Sequence, residues 1–165
     1  MITEKIEKIA VLFTLIAFVF FSLFLMSLQT VNASSNVYSK YVYVDGTLFG
    51  KVIYRITHTQ VWTSDEYGRV VYFEKPIVQI SSPGSVFDVE KQTSANAVLT
   101  DPYNILSTSN STIQVYVVLP FIGKVYLASG YFDVYMQAGG YGYCYAHVMA
   151  GLSNQNVDYY TGCFG

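Results

Sequence analysis

Beyond Ser34, apolar and polar side chains alternate over short runs, and a period of two predicts β-strands rather than helices. Val37 to Val44 (VYSKYVYV) is dense in Val and Tyr. Asp45-Gly46 behind it has the composition of a two-residue hairpin turn, whose central positions need positive φ. The return run from Leu48 to Gln60 puts Val52, Tyr54 and Ile56 on one face and Lys51, Arg55, Thr57 and Thr59 on the other. His58 falls in the apolar phase, where a lone histidine is expected as a hydrogen-bonded core or interface residue. Ser64 to Arg69 reads as a polar turn, and Val70 to Phe73, Ile77 to Ile80 and Val86 to Val89 read as short strands. Glu90 to Asn110 shows little pattern and is expected to be a long surface connection with one short strand near Ala97 to Leu99.

The cleanest alternation is Thr112 to Phe121, with Ile113, Val115, Val117, Leu119 and Phe121 on one face. Pro120 cannot donate to a ladder, so the strand ends there or becomes an edge. Val125 to Ala128, a turn at Ser129-Gly130, and Tyr131 to Gln137 read as a further hairpin, with Phe132, Val134 and Met136 inward. Strands at this spacing, without an amphipathic helix between them, predict an all-β fold: an antiparallel β-sandwich, or barrel-like sandwich, of roughly 8–10 strands.

One stretch breaks the pattern. Ile9 to Leu28 is continuously apolar, with no charge, Gly or Pro. About 20 such residues suffice to cross a bilayer as a helix, and the absence of a polar face argues against a helix buried in a soluble domain. Val31-Asn32-Ala33 then offers a small-residue cleavage site. Residues 1–33 are therefore read as a signal peptide or an N-terminal membrane anchor, and 34–165 as a single extracellular β-domain. That domain is expected to be secreted, or held at the extracellular face of the cell membrane by residues 9–28 where they are not cleaved.

Composition narrows the function. Charged residues make up 12% of the chain and the net charge is −2, with no basic stripe of the kind a nucleic-acid partner requires. The 16 tyrosines, with abundant Val, Ser and Thr, are a sheet composition. Cys144 and Cys163 are the two cysteines, and an even pair in an exported chain predicts a disulfide. Asn110-Ser111-Thr112 is a glycosylation sequon, which makes Asn110 a candidate for modification.

No nucleophile elbow, zinc-protease helix, phosphate loop or dinucleotide fingerprint occurs. Cys144-Tyr-Ala-His147 looks like a metal fragment, but residues three apart on a strand point to opposite faces. No metal or cofactor site is expected. The unusual segment is Gly139 to Ala150 (GGYGYCYAHVMA), which as a strand places Tyr141, Tyr143, Tyr145 and His147 on one bulky face and small residues on the other. These tyrosines either cover part of the core with hydroxyls reaching water, or form an exposed ladder for a glycan, a neighbouring subunit or a membrane.

The leading expectation is an exported structural or interaction β-domain, adhesin-like or filament-forming, with no catalytic mechanism evident. Its partners would be copies of itself, cell-envelope components or glycans. A secreted antimicrobial or toxin acting on competing cells is the second reading, and an extracellular hydrolase the third. N-terminal sequencing of protein from the native host is expected to show a chain beginning at or near Ser34. Intact Met1-containing protein in washed membranes would establish the anchor instead.

Overall fold

The computed structural model describes residues 34–82, 86–153 and 155–165. The expectations for residues 1–33 lie outside the described residues. Within them the chain is all β, with nine strands in two antiparallel sheets. The smaller sheet is organised on β2 (Lys51–Ser64), flanked on one side by β1 (Asn36–Leu48). On its other side lie β3 (Val70–Phe73) and β4 (Ile77–Ser81). The larger sheet is a meander in chain order: β5 (Phe87–Asp101), β6 (Asn104–Leu119), β7 (Gly123–Gly139), β8 (Cys144–Leu152) and β9 (Gln155–Gly162).

Both inner faces follow the alternation. Tyr54, Ile56, His58, Gln60, Trp62 and Ser64 of β2 are all buried. Phe132, Val134 and Met136 of β7 point inward as expected, opposite Ala146, Val148 and Ala150 of β8. The small residues of β8 thus form its buried face. At the far end of β2, the Trp62 indole stacks on Tyr38 and donates to Gly139 O on the other sheet at 3.2 Å.

Two expected turns and one expected surface connection are corrected. Asp45 and Gly46 lie inside β1, paired with Arg55 and Tyr54, and the turn falls at Phe49-Gly50, where φ is 50° and 74°. Asp45 instead clasps the Arg55 guanidinium through two bonds of 2.7 and 2.8 Å. Ser129-Gly130 is not a turn either. β7 runs straight through it, because Gly130 stays in the ladder opposite Leu152, and the hairpin reverses between Leu119 and Gly123. The strand does end before Pro120, but Leu119 and Phe121 are exposed rather than inward. The third correction is Glu90 to Asn110, which belongs to the two long strands β5 and β6. β5 is an edge strand exposed on most of both faces, so it lacks the apolar alternation; the backbone ladder to β6 holds it.

One border of the two sheets is closed by the C-terminus. Cys163, just past β9, is disulfide-bonded to Cys144 at the start of β8, with Cα atoms 5.5 Å apart. Phe164 then leaves the larger sheet and exchanges backbone bonds with Tyr41 of β1 (3.0 and 2.8 Å).

The inner face of β6 is polar where β2 crosses it. Ser107, Ser109 and Ser111 are buried, and His58 bonds Ser109 Oγ through Nδ1 (2.9 Å) and Ser107 Oγ through Nε2 (2.8 Å). Burial drives the His58 pKa down to about 4, so the ring is neutral at pH 7. Since the unfolded chain takes up that proton near 6.5, stability is whole above pH 6.5 and declines as pH falls towards 4. The loss attributable to this one ring is expected to reach about 3 kcal/mol. Urea unfolding across that pH range should show the slope in the native chain and a much shallower one in His58→Gln.

Candidate interaction surface

The residues singled out in the Gly139 to Ala150 segment divide into two groups, because β8 begins only at Cys144. Tyr141 and Tyr143 belong to the β7–β8 turn. Gly140 makes this turn possible: its N–H donates to Tyr103 O (2.8 Å), and a Cβ there would lie 1.5 Å from Gly68 O. Three turns therefore meet at this end of the molecule. The Tyr141 ring lies against Gly68 and its hydroxyl donates to Tyr67 O at 2.8 Å. Tyr143 packs on Gly139 and its hydroxyl donates to Asn104 Oδ1. Beside them Asp65 accepts from the backbone N–H groups of Tyr67 (3.0 Å) and Arg69 (2.8 Å) and from Arg69 Nε (2.7 Å). These bonds hold its carboxyl below the ordinary range against the opposing effect of burial.

Tyr145 and His147 do stand on the outward face of β8. The register brings further rings beside them: Tyr135 of β7 and Tyr160 of β9 both pair with His147. The three form a row across the sheet, with His147 stacked on Tyr160 (centroids 4.3 Å, 13°) and beside Tyr135 (6.4 Å, 28°). With strands about 4.8 Å apart, the row is roughly 10 Å long. His147 Nε2 lies 2.6 Å from Asp158 Oδ1, which fixes the ring in its stack. Leu106, Tyr135, Gln137, Tyr145, His147 and Tyr160 line an open groove of about 360 Å³ on this face. Tyr145 and Tyr160 are 67% and 82% exposed, so these rings do not roof the core.

The groove offers flat aromatic faces together with amide, imidazole and phenol groups, a surface that can stack on and hydrogen-bond to a polar ring or chain. Among the described residues His147 bonds to Asp158 and to no hydroxyl or thiol. Nor do the described residues hold a cluster of three or more metal-type side chains. Cys144 faces inward into its disulfide while His147 faces outward. Asn110 is exposed, but in the middle of β6 rather than in a loop, opposite Ser94 and Asp133. Burial raises the neighbouring Asp133 carboxyl above its ordinary pKa, against a bond from the Ser111 backbone.

Sequence reading missed Tyr135 as a partner of His147 and did not single out Tyr160. The signal for both was their outward phase on their own strands; what places them beside His147 is cross-strand register. Comparison with known proteins finds no matching family model, no curated relative and no solved structure of similar fold.

Because Tyr145 and Tyr160 lie outside the core, Tyr145→Ser and Tyr160→Ser are each expected to cost under about 1 kcal/mol. Phe132→Ala, which opens a cavity between the sheets, should cost about 3–5 kcal/mol. Denaturant midpoints of the three variants measure the contrast.

Proposed function

We propose that this chain is an exported, non-catalytic interaction domain: a β-sandwich of the cell exterior, adhesin-like or filament-forming, that engages its partner through the outer face of β7, β8 and β9. The observation that carries this reading is the row Tyr135–His147–Tyr160 with Tyr145 beside it, set in cross-strand register, in which the three tyrosines are exposed around a half-buried His147. Tyrosine presents a large, rigid, amphipathic contact at little entropic cost, and it is enriched at recognition surfaces for that reason. The apolar run Ile9 to Leu28 supports export, and the Cys144–Cys163 disulfide is in keeping with an oxidising compartment.

The partner surface is a glycan, another cell-envelope component or a second copy of the chain. A glycan on Asn110 would rise from the same outer face. Asn110 pairs with Asp133, two residues along β7 from Tyr135, so modification there would narrow access to the groove.

The test is binding of the native protein to isolated cell envelopes and to a glycan panel, with electron microscopy for filaments. The native chain is expected to bind or polymerise, and Tyr145→Ser with Tyr160→Ser to lose at least ten-fold in affinity while folding normally. Unchanged binding by that double variant removes the groove from the function. Growth inhibition of related strains without binding or polymerisation would favour the toxin reading, and turnover of a substrate panel the hydrolase.

A further inference from the structure

The end of the molecule remote from the tyrosine-bearing turns has a different chemistry. The β1–β2, β4–β5, β6–β7 and β8–β9 connections lie toward that end, with β7 residues 123–129 running past Gly130, the residue opposite Leu152, to the β6–β7 apex. The Thr47 side chain bonds to Gln155, Ser82 Oγ donates to Ile53 O (3.0 Å), and Val118 N donates to Val86 O (2.8 Å). The opposite end is edged by Asp65, Arg69 and Asp101, each engaged in polar bonds. At this end the β1–β2 and β6–β7 apices carry phenylalanine instead. Phe49 is 93% exposed, Phe121 is fully exposed, and Ile122 beside it is 73% exposed.

Both phenylalanines sit at positive φ, 50° and 67°, followed within two residues by Gly50 and Gly123, also positive. Gly, Asn or Asp would take these positions with less strain, and a bulky aromatic is disfavoured there. Each ring is thus held in a backbone conformation that opposes it and in water that opposes it, with no core contact in return. Folding of the isolated chain does not account for them.

We propose that the β6–β7 apex is a membrane-contact tip, in which Phe121 and Ile122 enter the interfacial zone of a lipid bilayer. Three features favour lipid over a protein partner. First, the β6–β7 apex presents few backbone donors: Pro120 has no N–H, Ile122 N donates to Leu119 O (3.4 Å), and pairing continues to Leu119 and Gly123. A surface entering hydrocarbon must satisfy its own polar groups. Second, the β6–β7 apex, Leu119 to Gly123, contains no charged side chain, and Lys124 stands just behind it. Lys124 is held by Glu90 at 2.9 Å and by Asp88. Third, Tyr116 and Tyr126 pair across the same arm with rings edge to face at 6.1 Å. They lie roughly 10 Å behind the apex, about the depth to which interfacial elements enter. An apolar apex with a tyrosine pair behind it is the order of a bilayer interface.

The test uses the full chain carrying Phe121→Trp, mixed with vesicles of phosphatidylcholine and phosphatidylglycerol whose acyl chains are brominated. Tyr103→Trp, at the opposite end, is the control. Because the reporter is at the apex, attachment of the chain through residues 9–28 does not by itself produce the signal. After subtraction of the native chain's Trp62 emission, the Phe121→Trp emission is expected to shift to the blue and lose most of its intensity, and the Tyr103→Trp emission to do neither. Equal quenching at both ends, or none at the apex, overturns the proposal. So does a blue shift that grows with protein concentration in lipid-free buffer, since a second copy would then be covering the apex. Phe49→Gly with Phe121→Gly is expected to melt no lower than the native chain, and a marked fall would show the rings to be structural.

Discussion

Two sheets that met only through aliphatic side chains could slide along each other at little cost; hydrogen bonds between them cannot. His58 ties β2 to β6 through both ring nitrogens, and Ser107 and Ser109 are spaced to meet it because alternate residues of a strand share a face. With that point fixed, Trp62 further along β2 donates to Gly139 O of β7, and Tyr159 of β9 donates to Tyr43 O of β1, each at 3.2 Å. Buried polar groups of this kind add directionality to a core whose apolar contacts have little. The arrangement has a cost, since a neutral imidazole walled off from water resists protonation.

The borders of the sheets are handled differently. On one side the Cys144–Cys163 bond and the Phe164 bridge carry the chain from β9 onto β1, with the Phe164 ring lying against Tyr41 and Tyr43 (5.7 and 5.4 Å). On the other, Lys91 of β5 donates to Val78 O of β4, a side-chain link rather than a ladder. Both proposed surfaces lie outside this framework, one on the outer face of the meander and one at its apices. Changes there need not be transmitted to the core.

The inward sets were legible in the sequence where a strand is covered on one side. Phe132, Val134 and Met136 declared themselves by period two, as did Tyr54, Ile56 and His58. β5 did not, because period two is a signal of one-sided burial and β5 has little burial on either side. Turn chemistry misled twice for one reason: Asp45-Gly46 and Ser129-Gly130 can turn, but each is held extended by partners on the next strand, Arg55 for one and Leu152 for the other. Phe49 and Phe121 took the turns although local preference speaks against them. The aromatic row could be read only in part, since Tyr145 and His147 share a strand while Tyr135 and Tyr160 join them through pairing that sequence does not encode locally.

Trp62 is the only tryptophan in the chain, and it is fully buried between the sheets. Its ultraviolet emission therefore reports on one place, the contact of the indole with Tyr38 and the carbonyl of Gly139. Separation of the sheets would let water reach the ring and move the spectrum to longer wavelength, whereas events at the hairpin apices or the aromatic groove would leave it still. The native chain thus carries an internal optical probe of sheet docking, spatially apart from the surfaces through which it would meet other molecules.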